Sequence, residues 1–371
     1  MRMAIDPVLV VGGGPAGLAA AAALHRRGIP ALVLERSDAV AASWRRHYDR
    51  LHLHTTRHLS RLGGMPIPRR YGRWVARDDV VTYLEEYAQH HHLRVRTGVE
   101  VTRISQDDDG RWLLDTSAGV MSAPEVVVAT GYNHTPVPPA WPGVFEGEVV
   151  HASTYRNAGP YVGRDVLVVG VGNTGAEIAV DLTEGGASRV RLAVRTAPHI
   201  VRRSNFGWPA QGTGILVRHM PVRVIDLVAS LIARVEVPDL SSYGLPRPTT
   251  GLLSRVSEGS VPLQDVGLIA AVKAGLVEPV AAVTSFDGSD VVLADGARVT
   301  PDVVLLATGY RRGLEPLVGD LGVLDERGVP ERSVPGLYFT GFTNPISGMF
   351  RELRLDARKI ARAVARRREG A

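Results

Sequence analysis

Cysteine is absent from this 371-residue chain. That absence excludes disulfides, zinc–thiolate sites, iron–sulfur clusters and any reaction that runs through a redox-active thiol pair. Lysine is nearly absent too: of 43 basic residues only Lys273 and Lys359 are lysines, the rest being arginines. The formal charge of +5 comes from arginines scattered along the chain, without the basic stripe and interleaved aromatics of a nucleic-acid surface. No nucleic-acid partner is expected. No apolar run approaches the roughly 20 residues needed to span a bilayer, so no membrane span is expected either. The N-terminus runs directly into a strand and a glycine-rich turn, which reads as a first strand in place of a signal peptide and predicts a cytoplasmic location. What is present, 45% hydrophobic and 22% charged residues, is the composition of a globular protein of about two domains.

Two dinucleotide fingerprints organise the chain. The first is Gly12-Gly13-Gly14-Pro15-Ala16-Gly17 and the second Gly170-Val171-Gly172-Asn173-Thr174-Gly175. Each follows a short apolar strand (8–11, 165–169) and opens an alanine-rich helical run, the context that gives the motif meaning. Glycines there permit a tight turn and let backbone approach a pyrophosphate seated on the positive helix end. At the end of the next strand the first copy carries Glu35 and the second Arg195. A carboxylate there accepts from a ribose 2′-hydroxyl, whereas an arginine suits a 2′-phosphate, so the second site reads as one for NADPH. Thr196 and Arg202 or Arg203 are its candidate helpers.

Around these motifs the pattern predicts helices at 15–27 and 78–92, strands at 31–35 and 94–96, and a hairpin-like segment at 102–122. Two apolar strands end in Ala-Thr-Gly, at 125–131 and 303–309. Proline-rich 136–142 marks a boundary. The predicted fold is α/β, with two dinucleotide-binding (Rossmann-like) domains, the NADPH domain being inserted into a discontinuous FAD domain. The expected limits are 1–155 with 295–371 for the first and 156–294 for the second, with a substrate-access insertion around 200–265. Within that insertion 215–235 is apolar but interrupted by Arg218, Pro221, Arg223, Asp226 and Arg234. It reads as a segment packed on its domain or lining a channel, or as a membrane-surface helix. His52, His54 and His58, and the triplet His90–His92, lack an obvious carboxylate to complete a metal shell, and no metal site is expected.

Between the fingerprints, Phe145, Gly147, His151 and Tyr155 fit F-x-G-x-x-x-H-x-x-x-Y. With this motif the chain resembles the class B flavin-dependent monooxygenases over nearly its whole length. It looks most like the YUCCA-type branch, through Ala42-Ser43-Trp44-Arg45, Tyr48-Asp49-Arg50-Leu51, His52-Leu53-His54, 243–248 and 262–267. The resemblance implies FAD on Gly12, Gly14, Pro15, Ala16, Gly17, Glu35, Arg36, Ser43, Trp44, Arg45, His52, His54, Thr55, Val101, Thr130, Gly131 and Gly341. It implies NADPH on Gly170, Gly172, Asn173, Thr174, Gly175, Arg195, Thr196 and Arg203. Thr55, Asn173 and His151 are the implied catalytic residues. The implied activity is NADPH- and O2-dependent oxygenation of a small organic molecule through a flavin 4a-(hydro)peroxide. A flavin oxidoreductase without oxygen transfer is the alternative, which does not need the Phe145–Tyr155 motif. Because the cofactor carries the hard chemistry, no acid–base constellation is required of the protein. Many members carry asparagine where Thr55 aligns, and its absence leans the expectation toward keto-acid or ketone chemistry.

Overall fold

A computed structural model describes residues 6–205, 207–217 and 220–370, so that Arg218 lies outside the described residues. The chain divides into two compact units, Met1–Arg45 with Thr55–Thr135 and Tyr310–Ala371, and Arg46–His54 with Pro136–Gly309.

The first unit is built on an all-parallel sheet in the order Leu337–Phe339, Val126–Val128, Val8–Val11, Ala31–Leu34, Arg94–Arg96. Its central strands are buried throughout because both faces are covered, which is why they read as unbroken apolar runs and not as alternating ones. Helix Pro15–His25 packs against the C-terminal helix Met349–Glu369 through its alanines. A three-stranded antiparallel layer, Val101–Gln106, Trp112–Thr116 and Gly119–Ala123, contributes Ile104, Trp112 and Leu114 to one core with Leu9, Val11, Val126 and Val128. Buried Glu125 anchors the C-terminal helix by accepting from Arg368 at 2.7 Å.

The second unit repeats the plan. Its parallel sheet runs Val277–Ala281, Arg189–Val194, Asp165–Val169, Val303–Leu306, Glu148–His151. In both sheets the strand that enters the glycine turn lies between the following strand and the Ala-Thr-Gly strand. The turn explains this pairing. An alanine methyl at Gly12 would fall 2.5 Å from the Ala129 carbonyl oxygen, and one at Gly170 2.6 Å from that of Ala307. Both glycines also have positive φ, +112° and +108°.

The unit limits differ from those expected. Val303–Leu306 was expected with the first domain, but it hydrogen-bonds to Asp165–Val169 and so belongs to the second sheet. Glu148–His151 is the edge strand of that same sheet, which carries 136–155 across as well. Arg46–His54, expected with the first domain, folds with the second because its side chains bind helix Asn173–Glu184. The 200–265 segment closes on itself, Ile200–Arg202 pairing in parallel with Leu263–Asp265, and it contains helices Val222–Glu236 and Leu252–Ser257.

The histidine triplet ends helix Arg77–His90, with His91 as its C-cap. The His91 ring is buried against Tyr87, with ring centroids 4.5 Å apart. Burial first, and then the nearby Arg26 charge, lowers its pKa from 6.5 to about 4. A base with a depressed folded pKa is neutral in the folded state while the unfolded chain takes up a proton below 6.5, so stability falls as pH drops from 6.5 to about 4. We expect His91→Gln to remove on the order of 1 kcal/mol of that loss. Denaturant midpoints of both proteins at neutral pH and near the lower limit check it; parallel pH dependence in the two proteins contradicts the assignment.

Candidate functional site

The first glycine turn forms an open cradle. An added methyl at Gly17 would lie 1.9 Å from the Gly12 carbonyl oxygen, so helix Pro15–His25 leaves the turn with its backbone in contact with the strand end. At Gly14 the same methyl meets no protein atom within 4 Å, which leaves space above the backbone. Glu35 is buried; its Oε2 accepts from Gly13 N at 2.7 Å and its Oε1 from Ser37 N at 2.9 Å. The Ala41 amide donates to Gly13 O at 3.0 Å and so brings the short helix Ala42–Arg45, with Ser43, beside the turn. Trp44 sits edge-on to Phe350 at 5.8 Å. Thr130 and Thr340 end neighbouring parallel strands at the same sheet edge as the turn, followed by Gly131 and Gly341. Their hydroxyls are buried and have no hydrogen-bond partner among the described residues. Gly341 approaches Ala16, its added methyl falling 3.0 Å from the Ala16 Cβ.

Other expected residues are placed differently. Arg36 pairs with Glu100 at 3.8 Å and reaches His134 at 3.3 Å, while Arg45 pairs with Glu85. Val101 packs into the core of the first unit. The Thr55 hydroxyl lies 2.6 Å from that of buried Ser60. His52 and His54 fold with the second unit, His52 Nδ1 lying 2.7 Å from the Arg50 carbonyl.

The second turn copies the first. A methyl at Gly175 would fall 1.9 Å from Gly170 O, and one at Gly172 meets nothing within 4 Å. Arg195 and Thr196 are exposed just beyond strand Arg189–Val194. Asn173 accepts from Gln264 N at 2.8 Å and donates to Pro262 O at 3.2 Å, so its amide ties the fingerprint to 262–264. Arg203 donates to Leu53 O, and burial lowers its pKa to about 10 while Glu177 acts in the opposite direction.

Helix Asn173–Glu184 carries the polar centre of this unit. Buried Glu177 accepts from His54 Nε2 at 2.9 Å and from the Tyr48 hydroxyl at 3.0 Å. One turn later Asp181 accepts from Tyr155 at 2.6 Å and pairs with Arg50 at 3.5 Å. Burial, then the neighbouring carboxylate, holds the Tyr48 and Tyr155 phenols well above their ordinary range. The Phe145–Tyr155 motif becomes legible here as a staple. Gly147 makes room for the Phe145 ring, from which an added methyl would be 2.6 Å. His151 Nδ1 accepts from Ser153 N at 3.1 Å, and burial lowers its pKa. Tyr155 then fastens the segment to the helix. Sequence reasoning missed Glu177 and Asp181; the available signal was an acid between Ala176 and Ile178 in an otherwise apolar helical stretch.

A five-stranded parallel sheet entered through a glycine cradle, present twice, is an architecture suited to dinucleotide binding. The family model described as pyridine nucleotide-disulphide oxidoreductase matches residues 9–207. The chain is 37% identical to the indole-3-pyruvate monooxygenase YUCCA1 of Oryza sativa subsp. japonica, over 91% of this chain and 87% of that protein. It is 34% identical to the probable indole-3-pyruvate monooxygenase YUCCA3 of Arabidopsis thaliana, over 98% and 87%. Its fold matches the flavin-containing monooxygenase from Stenotrophomonas maltophilia with a TM-score of 0.73 at 23% identity, covering 98% of this chain and all of the other. The chain belongs to the flavin monooxygenases of the YUCCA type, within the broader pyridine nucleotide oxidoreductase family. It is an FAD-dependent NADPH monooxygenase. With no cysteine, it shares the disulphide reductases' framework but not their thiol chemistry.

Two substitutions separate framework from ligand contact. Gly17→Ala is expected to abolish folding of the first unit, since no rotamer relieves a backbone clash, whereas Gly14→Ala loses FAD and keeps the melting temperature of the flavin-free wild type. Flavin absorbance of the purified variants checks both; stoichiometric FAD in Gly14→Ala contradicts the cradle. Glu177→Ala strands two donors, the buried Tyr48 hydroxyl and His54 Nε2, and is expected to destabilise the second unit by about 3–5 kcal/mol. Thermal unfolding measures it, and a loss below about 1 kcal/mol makes the cluster incidental.

Proposed function

We propose that this protein oxygenates an aromatic 2-oxo acid of the indole-3-pyruvate class, using NADPH and O2. In this reading the units are two Rossmann-like domains, the second inserted into a discontinuous first, with FAD in the first cradle and NADPH in the second. The contrast between Glu35 and Arg195 carries the cofactor assignment. Each residue set fits its dinucleotide on its own chemistry. The unpartnered hydroxyls of Thr130 and Thr340 offer donors beside the first turn, and the methyl-free surface at Gly14 admits a pyrophosphate. The Ala16 and Gly17 amides, at the positive end of their helix, hold its charge. Glu35 uses one lone pair of each oxygen on backbone amides, which leaves others for ribose hydroxyls. Arg195 presents a planar guanidinium suited to a 2′-phosphate, with the Thr196 hydroxyl adjacent.

When bound, the dinucleotides supply hydride transfer and oxygen activation. The protein's part is to bind, orient and exclude water. The Glu177 cluster fixes 46–54 on helix Asn173–Glu184, and Asn173 fixes the fingerprint against 262–264. The substrate class rests on the names of the relatives, and Thr55 in place of asparagine supports attack on a ketone over heteroatom oxygenation.

Addition of indole-3-pyruvate is expected to stimulate NADPH oxidation and O2 uptake together, with one atom of labelled O2 entering the product. Substrate-independent NADPH oxidation with no label in any product contradicts the proposal. Arg195→Ala is expected to raise KM for NADPH by about 10- to 100-fold and to leave that for NADH nearly unchanged. Equal losses with both cofactors in steady-state assays overturn Arg195 as the phosphate reader.

A further inference from the structure

Helix Val222–Glu236 turns an apolar face to solvent. Leu227, Val228, Leu231, Ile232 and Val235 recur at i, i+1, i+4, i+5 and i+8, which is one stripe of an α-helix. All five are exposed, Leu227 at 63% and Val235 at 88%. The opposite side holds the helix down. Ile225, two turns from Ile232 at the margin of the stripe, is buried, and on the far side Asp226 accepts from Leu253 N at 2.6 Å and from the Ser254 hydroxyl at 2.7 Å. The helix is therefore seated with its stripe outward.

The charges along one edge of the stripe are of one sign. Arg223 and Arg234 are exposed and lie along one edge of it by helical spacing. Of the two acids of the helix, Asp226 caps helix Leu252–Ser257 from the inner side, and Glu236 lies past the stripe's last member. An aliphatic face bordered by arginines, on a chain of formal charge +5, complements an anionic bilayer surface. Arginine stems lie along apolar surface while their heads reach phosphates. Among the described residues no helix is long and apolar enough to cross a membrane, so the contact is peripheral.

We propose that the outward face of Val222–Glu236 docks the protein on the surface of an anionic membrane, the helix lying in the interface plane. Its length of about 22 Å gives the five side chains a common plane of insertion. The inference stands independently of the substrate assigned above.

Flotation of the full-length protein with phosphatidylcholine vesicles, and with vesicles containing phosphatidylglycerol in addition, tests it. The wild type is expected to float with the anionic vesicles and not with pure phosphatidylcholine, and to be released at high salt. Leu231→Asp with Val235→Asp is expected to reduce the bound fraction by about tenfold without changing the melting temperature, because both sites are exposed. Arg223→Glu with Arg234→Glu is expected to abolish the preference for anionic lipid. A wild type that floats with neither vesicle overturns the proposal, as does flotation unchanged in the aspartate variant. Light scattering gives the remaining outcome: a wild-type dimer that the aspartate variant converts to monomer assigns the face to a second copy of the chain and overturns the membrane reading.

Discussion

Each glycine turn brings backbone so close to the helix that follows it that a single methyl has no room. The contact between the third glycine and the first carbonyl is the same in both halves, with an added Cβ 1.9 Å from the oxygen at Gly17 and at Gly175. This close approach seats the helix directly over the strand end. The helix's free amides then point into open space at Gly14 and Gly172, while the outer side of the turn presses against the Ala-Thr-Gly strand at Ala129 and Ala307. The close approach of that strand's end to the glycine turn follows from the same crowding. A cradle made of backbone does not depend on rotamers, so the same geometry appears twice with different helix sequences.

The second unit adds a constraint of another kind. Glu177 and Asp181 lie one turn apart on one helix face and gather side chains from 46–54 and from Tyr155. A buried carboxylate is tolerated when its lone pairs are filled, and here two separate segments converge to fill them. The identifying Phe145–Tyr155 motif serves this convergence: Gly147 admits the Phe145 ring, His151 shapes the turn, and Tyr155 closes on Asp181. Tyr155 is the member of the motif that reaches the helix, while Phe145 packs on Phe286.

These two constraints differ in how far the chain itself discloses them. The glycine turns, the strands before them and the contrast of Glu35 with Arg195 are local, lying within some twenty residues of one another, and they were legible. The Ala-Thr-Gly repeat was visible as well, but which sheet the second copy joins is a question of strand pairing across more than a hundred residues, and 295–309 was placed in the wrong unit. Segment 46–54 failed for the same reason, since its partners on Glu177 and Asp181 are remote in sequence. Asn173 shows a subtler limit. Its position in the fingerprint suggests a ligand contact, yet its amide bonds in both directions to 262–264. A motif specifies where a residue stands and leaves open which way its side chain turns. The stripe of Val222–Glu236 was legible as apolar periodicity; that it faces outward depends on Asp226 fastening the other side.

The titratable groups inside the protein share one tendency. Burial lowers the pKa of His91 and His151 and raises those of Tyr48 and Tyr155, so each is driven toward its neutral form near pH 7. An enzyme that depended on general acid–base catalysis would tune such groups the other way, toward exchange near the working pH. The cofactors would supply the hydride and oxygen chemistry, so the fold asks no proton exchange of these buried groups. An interior of neutral rings suits a scaffold whose cofactors carry the reaction, since each unit's packing then holds no proton in exchange.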